Sequence, residues 1–177
     1  MARIPAVNRN EAPAPLSTTF ERVKAKIGMV PNLYATFAQS PAVLDAYLAF
    51  STALTHGQLT AAQREVLALA IGQANRCQYC LSAHSLMAKG AGLNPDAIKN
   101  ARNGSSEDAL NDALARFAVK VVTQRGVLSD EEFNAARAEG LSDALIIEVL
   151  AHVALNTLTN YTNHIAATDI DFPVVDL

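Results

Sequence analysis

The two cysteines of this 177-residue chain lie three residues apart in the segment RCQYCLSAH, and a histidine follows the second one by four residues. On one helix Cys77, Cys80 and His84 would share a face, because residues three, four and seven apart are neighbours on its surface. Cysteine reacts as the thiolate, and a histidine one turn away can take its proton. A second thiol can condense with a sulfenic acid on the first to give a disulfide. The spacing therefore predicts a reactive dithiol.

Glu65 lies twelve residues before Cys77, and on one continuous helix it would be ~18 Å from the thiols. The segment QANRC offers a break, since Asn75 suits a helix end. If the chain folds back there, Glu65 and His84 come level on two antiparallel helices. A carboxylate on the second imidazole nitrogen would fix the tautomer and stabilise the imidazolium. We therefore expect a helix break between Ala74 and Cys77 and a Glu65–His84 contact, which together give a nucleophile, a base and an orienting group.

Two other interpretations of these residues stay open. A Cys-x-x-Cys pair is half of a zinc site, and His84 and Glu65 could complete it, although this spacing is unusual for structural zinc. A buried cysteine pair beside a core histidine needs no chemistry at all. A thioredoxin-type site is disfavoured because no βαβ pattern surrounds the motif. We assign no metal and no cofactor to the site.

Composition excludes several classes of protein. Half of the residues are hydrophobic, and the 14 basic and 17 acidic residues are interspersed, with a net charge of −3. No basic stripe favours nucleic acid, and no uninterrupted apolar run of 18 residues favours a membrane span. The N-terminus lacks the pattern of a signal peptide. We expect a cytoplasmic protein, in which a lone cysteine pair is more typical of reactivity than of a structural disulfide.

Helix signals follow one another along the chain, and no segment shows sustained strand alternation, so we predict an all-α fold. Residues 1–15, with three prolines, are predicted to form an extended arm, and residues 16–177 a single helical domain. The cysteine helix should run from Cys77 to about Ala91. The other predicted helix starts are Ser17, Thr60 with Gln63 as a capping box, Asn94 before Pro95, Ser106, Ser129 with Glu132 as a second capping box, and Ser142.

The remaining histidines are weaker candidates. His56 lies in the segment LTHGQLT and is expected to be solvated, and His152 lies among alanines and leucines and is expected in the core. His164 could line a pocket with Asn160, but capping or packing is the favoured interpretation.

The tetrapeptide Glu-Val-Leu-Ala occurs twice, starting at Glu65 and Glu148. In that register Cys77 and Cys80 fall on Asn160 and Asn163. Either an old duplication or two similar amphipathic helices would explain this pattern.

The motif Glu-x11-Cys-x2-Cys-x3-His, formed by Glu65, Cys77, Cys80 and His84, resembles the core motif of the AhpD-like alkylhydroperoxidases of the carboxymuconolactone decarboxylase superfamily. The likeness is strongest over residues 58–93. The ending NYTNHIAATDIDFP is similar to the C-terminal segment of the peroxidase-related subgroup. The resemblance implies an AhpD-like helical bundle, assembled as a homotrimer or homohexamer.

The resemblance also implies a function: a thiol peroxidase or disulfide reductase that reduces organic hydroperoxides without a bound cofactor. Cys80 would be the peroxidatic cysteine and Cys77 the resolving one, with Glu65 and His84 as the proton relay. A thiol or lipoyl-type protein would serve as reductant. Tyr79 departs from members that have histidine there, and a phenol with a pKa of about 10 is a poor base at neutral pH.

Two rival functions stay open. A non-redox enzyme of the decarboxylase type could use His84 and Glu65 as acid and base, although that branch typically lacks the cysteine pair. The second rival is a metal-binding or purely structural role as a helical oligomer. Either way, long alanine-rich helices leave apolar faces that one small domain covers poorly, so we expect a homo-oligomer.

Overall fold

The computed structural model describes residues 2–177, and within them the chain forms nine α-helices and no β-strand. The predicted all-α class is therefore confirmed. The helices are α1 (Ala14–Ile27), α2 (Asn32–Phe37), α3 (Pro41–Leu54), α4 (Ala61–Ala74), α5 (Gln78–Gly90), α6 (Pro95–Arg102), α7 (Ala109–Thr123), α8 (Asp130–Ala138) and α9 (Asp143–Ala166).

Helix α4 lies at the centre of the fold and contacts α5, α6, α7 and α9. Residues 66–72 of α4 are all buried, so the helix is apolar all round rather than on one stripe. Where α4, α7 and α9 meet, their side chains form the largest core cluster, which includes Leu67, Ile71, Leu114, Phe117 and Val149. This packing fixes the position of Glu65 near the start of α4.

Most of the predicted helix starts are confirmed, because each depends on a local side-chain bond to a free backbone N–H. The two capping boxes are formed, and the side chains at two further starts accept the expected backbone bond. These caps are Thr60 with Gln63, Ser129 with Glu132, Asn94 and Ser142.

Two predicted starts are wrong. Helix α1 begins at Ala14 rather than after Ser17, because Pro15 suits the first turn and the extended Pro13 precedes it. Helix α7 begins after Asp108, whose carboxylate accepts the N–H of Asn111, rather than after Ser106. The Ser106 hydroxyl accepts the N–H of Asp108 instead and so belongs to the preceding turn.

The N-terminal arm lies on the body of its own chain. The Arg3 N–H donates to the Ala166 carbonyl, and the Val7 N–H donates to the Ala35 carbonyl. Met1, which the predicted arm includes, lies outside the described residues. The arm thus closes over the end of α9 and over α2.

Helix α9 is long and apolar enough to cross a membrane by length and composition, with a mean hydropathy of 1.2. In the structure it contacts α2, α3, α4, α5 and α7. Its inward face buries five polar side chains, His152, Asn156, Thr159, Asn160 and Asn163. These features are those of a core helix.

The outward face of α9 is apolar and uncovered. Ile147 is 65% exposed and Ile165 is 64% exposed, and Leu158 and Tyr161 lie exposed between them at helical spacing. A row of this kind is typical of a surface that a partner covers.

We predict that this face is buried in a homo-oligomer, so Ile147→Glu should lower the mass seen by light scattering at micromolar concentration. A carboxylate would have to be desolvated in the contact. Val127→Glu is the control, because Val127 is 79% exposed in the turn after α7 and lies outside the row. A monomeric wild-type protein would contradict the prediction.

Candidate active site

The chain turns back on itself between α4 and α5, as the spacing of Glu65 and His84 predicts. Helix α4 ends at Ala74, and α5 begins at Gln78. In the turn, Arg76 adopts the left-handed conformation with φ 55°, and the Cys77 N–H returns to the Gly72 carbonyl at 2.8 Å. The two helices then run side by side in contact.

This hairpin brings Glu65 and His84 together. Glu65 Oε2 lies 2.8 Å from His84 Nδ1. Burial by itself would lower the pKa of His84, but the charge and hydrogen bond of the Glu65 carboxylate, together with the charge of Cys80, outweigh it, so the pKa is raised. The carboxylate therefore favours the imidazolium and leaves Nε2 as the nitrogen available to a thiol or a substrate.

The two thiols lie at the start of α5, buried and in contact. Cys77 is the N-cap residue, and its Sγ accepts the Cys80 N–H at 3.3 Å. The Sγ atoms are 2.6 Å apart, with the Cys77 thiol donating to Cys80.

The contact between the thiols separates their acidities. The pKa of Cys80 is lowered to about 6. The hydrogen bond from the Cys77 thiol is the largest cause, burial opposes it, and the charge of His84 and the side chains of Asn163 and Asn160 add to the lowering. The same bond and burial raise the pKa of Cys77. At neutral pH the pair is therefore a Cys80 thiolate beside a Cys77 thiol.

Helix α9 supplies a site residue that the sequence analysis left unassigned. The Asn163 Nδ2 lies 3.3 Å from Cys80 Sγ and 4.0 Å from Cys77 Sγ. Asn160 accepts a bond from the Asn75 amide at 2.8 Å and so ties α9 to the turn. The register of the repeated tetrapeptide, which sets Asn163 against Cys80, was the available signal.

Tyr79 does not extend the relay towards the thiols. Its hydroxyl donates to Asp171 Oδ1 at 2.8 Å and accepts the Leu33 N–H at 3.2 Å, and burial raises its pKa. The ring of Phe172 packs edge-on against Tyr79, with centroids 5.6 Å apart. Tyr79 thus anchors the C-terminal tail over the site.

The other histidines lie where the sequence places them. His56 is exposed after α3, and His152 is buried on α9. His164 Nε2 lies 2.9 Å from the Asn75 carbonyl oxygen, so it caps the turn between α4 and α5 rather than lining the thiol pocket.

A cavity of about 200 Å³ opens onto Cys80 and His84. Its walls are mostly apolar and include Leu33, Leu86 and Phe172. Among residues 2–177, no three histidine, cysteine or acidic side chains converge on one point as metal ligands would. The arrangement suits a thiolate that meets an organic molecule beside an acid.

A sequence model of the carboxymuconolactone decarboxylase family matches residues 41–124. The matched segment runs from α3 to the residue after α7 and includes the whole α4–α5 hairpin. This segment belongs to the carboxymuconolactone decarboxylase family. Helix α9, which supplies Asn163 to the site, lies outside the match.

Solved structures extend the likeness to nearly the whole chain. An uncharacterized peroxidase-related protein from Ralstonia eutropha JMP134, described as an alkylhydroperoxidase AhpD core, gives a TM-score of 0.85 at 25% identity over 96% of this chain and 92% of that one. An uncharacterized peroxidase-related protein from Silicibacter sp. TM1040 gives a TM-score of 0.81 at 23% identity over 94% of this chain and 92% of that one. The AhpD-like fold is therefore confirmed.

A third similar structure is that of the debrominase Bmp8, as a cysteine-to-alanine variant in complex with 2,3,4-tribromopyrrole. It gives a TM-score of 0.80 at 21% identity over 96% of this chain and 91% of that one. At this identity the likeness shows the fold alone. No curated protein matches the chain.

We predict that Asn163→Ala will raise the pKa of Cys80 and so reduce the fraction of Cys80 present as thiolate. Alkylation of the wild-type protein by iodoacetamide should rise with pH through about 6, because the thiolate is the reactive form. Loss of one amide donor should slow it about 2- to 10-fold at pH 6.5 and move the profile to higher pH. The control is Asn134→Ala, on the exposed side of α8. Superimposable profiles for Asn163→Ala and wild type would remove Asn163 from the site.

Proposed function

We propose that the protein is a thiol peroxidase that reduces organic hydroperoxides with the Cys77–Cys80 pair. One observation supports this most directly: the Cys80 sulfur, with its pKa lowered to about 6, shares an apolar cavity with the Glu65-paired imidazole of His84. A nucleophile and an acid thus face the same small space.

In the first step the Cys80 thiolate attacks the terminal oxygen of the hydroperoxide. An S–O bond forms while the O–O bond breaks, and the His84 imidazolium gives its proton to the leaving alkoxide. The products are an alcohol and a Cys80 sulfenic acid. Glu65 stabilises the imidazolium before the step and keeps its proton on the side of the cavity.

In the second step Cys77 attacks the Cys80 sulfur. An S–S bond forms, the S–O bond breaks, and the hydroxyl leaves as water with the proton of the Cys77 thiol. The sulfur contact of 2.6 Å means that little movement is needed. A dithiol reductant, which we propose to be a thiol or lipoyl-type protein, then restores both thiols and is itself oxidised to a disulfide.

The apolar walls of the cavity favour an organic substrate. Hydrogen peroxide has no apolar surface to bury against Leu33, Leu86 or Phe172. An alkyl or aryl hydroperoxide buries its carbon atoms there and gains binding free energy. We therefore place organic hydroperoxides ahead of hydrogen peroxide as substrates. We also propose that the protein works as a homo-oligomer in the cytoplasm.

The division of labour between the thiols is tested by serine variants. Cys80→Ser should abolish the consumption of cumene hydroperoxide. Cys77→Ser should allow one oxidation per protein, trapped by dimedone at Cys80 and located by mass spectrometry. A dimedone adduct at Cys77 in Cys80→Ser would reverse the assignment. An acid–base reaction that survives Cys80→Ser would favour the non-redox decarboxylase type instead.

The proton relay is tested by His84→Ala and Glu65→Gln. Loss of the acid should slow single-turnover oxidation of Cys80 by about 10²- to 10⁴-fold, and loss of its orienting carboxylate by less. His56→Ala is the control, because His56 is exposed and lies outside the lining of the cysteine cavity. Wild-type rates in both relay variants, measured by stopped flow at pH 7, would contradict the proposed relay.

A second candidate function is reductive dehalogenation by the same dithiol. The cavity wall is rich in aromatic rings, including Tyr34, Tyr47, Tyr79 and Phe172, which suits a flat aryl halide, and the debrominase Bmp8 shares the fold. Two thiols supply the two electrons: C–Br becomes C–H while the thiols become a disulfide and HBr is released. Bromide release from 2,3,4-tribromopyrrole, faster than cumene hydroperoxide is consumed, would favour this candidate.

A further inference from the structure

A second chamber, of about 280 Å³, lies between α1, α3, α4 and α9, and Glu65 and His84 form part of its lining. It adjoins the cysteine cavity, since both are lined by Ile27, Tyr34, Tyr47, His84 and Met87. A molecule occupying the cysteine cavity could therefore extend into this chamber.

Arg64 gives the chamber a free positive charge. One of its guanidinium nitrogens donates to the Leu59 carbonyl at 2.6 Å. Among residues 2–177 no carboxylate lies within 4.0 Å of the guanidinium. Lys26 adds a second cation at the exposed rim. Arginine has a fork of donors that matches a carboxylate, so this end of the chamber favours an anion.

His152 provides an unused donor in the same wall. The residue is only 4% exposed, and its buried Nε2 has no hydrogen-bond partner among the described residues. Burial, followed by the charge of Arg64, lowers the pKa of His152 to about 4, so the ring is neutral at pH 7 and has one N–H to donate. Because buried polar groups in proteins are nearly always hydrogen-bonded, this unpartnered atom is available to a ligand in the chamber.

The acidic side chains nearby do not cancel this preference. Among residues 2–177, Glu65 is the one acid in the chamber lining, and it is paired with His84 at 2.8 Å. The Glu148 carboxylate lies outside the lining and accepts the N–H groups of Gln58 and Leu59. The chamber therefore holds an excess of donors and positive charge.

We infer that this chamber binds the carboxylate of an acyl-chain ligand whose hydrocarbon chain enters the cysteine cavity. The substrate class is then a hydroperoxide of a carboxylic acid, with the carboxylate at Arg64 and His152 and the hydroperoxide further along the chain, near Cys80. The identification of this ligand as a substrate rests on the proposed function, whereas the binding site itself does not.

Calorimetry with octanoate and its neutral analogue octanamide tests the site, using the Cys80→Ser protein so that no thiol chemistry interferes. Octanoate should bind at least about ten-fold more tightly than octanamide. The Arg64→Met substitution should lower the affinity for octanoate by about 10- to 100-fold. Lys24→Met is the control, because Lys24 lies on α1 outside the lining. Equal affinity for the two ligands, or an Arg64→Met protein that binds octanoate like the parent, would overturn the site.

His152 is tested by two variants. His152→Gln keeps a neutral donor and should retain much of the octanoate preference, whereas His152→Leu should reduce it about 2- to 10-fold. If His152→Leu does not fold, the Arg64→Met and His152→Gln results still decide. A His152→Gln protein that is folded by circular dichroism yet binds octanamide as tightly as octanoate would also overturn the site.

Protection of Cys80 tests where the chain lies. Octanoate at saturation should slow the alkylation of wild-type Cys80 by iodoacetamide at least about ten-fold, whereas acetate, which lacks the chain, should leave the rate unchanged. Octanoate that binds at Arg64 without protecting Cys80 would overturn the assignment of an acyl-chain substrate. Neither measurement requires turnover, so thiols inert to hydroperoxides would refute the peroxidase and leave the carboxylate site standing.

Discussion

The three-residue break between α4 and α5 is the feature on which the site depends. With a continuous helix, Glu65 would lie ~18 Å from the thiols and could not reach His84. The break is held from several sides: the Cys77 N–H returns to Gly72, and two residues of α9 bind Asn75 through its carbonyl and its amide. Arg76 adopts a left-handed conformation that a non-glycine residue rarely takes, so these bonds hold Arg76 in a conformation that its residue type does not favour.

The turn allows a buried thiolate to exist because it assembles opposing partners around one sulfur. A charge in an apolar interior is unstable unless donors and a counter-charge surround it. Here the Cys77 thiol and the Asn163 amide contact the Cys80 sulfur, the charge of His84 also lowers the Cys80 pKa, and Glu65 in turn pairs with His84. The result is a row of interacting groups that runs from the sulfur through the imidazole to the carboxylate. One end of the row faces an apolar cavity, and the other faces the chamber that contains Arg64.

The parts of the structure that could be predicted from sequence are those in which the decisive contact is local. Capping boxes at Thr60 and Ser129 depend on residues three positions apart, and the hairpin follows from counting residues between Glu65 and His84. Asn163 is different, because it reaches Cys80 across 83 positions and only the packing of α9 brings them together. The anchoring of Tyr79 by Asp171, across 92 positions, is equally invisible in the sequence. The start of α1 was misplaced because Ser17 and Pro15 both suit a first turn.

The central claim is that Cys77 and Cys80 act together as one two-electron donor, and a thiol count tests it most directly. The fully reduced protein should show two free thiols before treatment. After one equivalent of cumene hydroperoxide it should show none, with a mass lower by two hydrogens and a peptide linking the two cysteines. If both thiols remain free, or if they are lost no faster than the thiol of free cysteine in solution, the dithiol peroxidase account is contradicted.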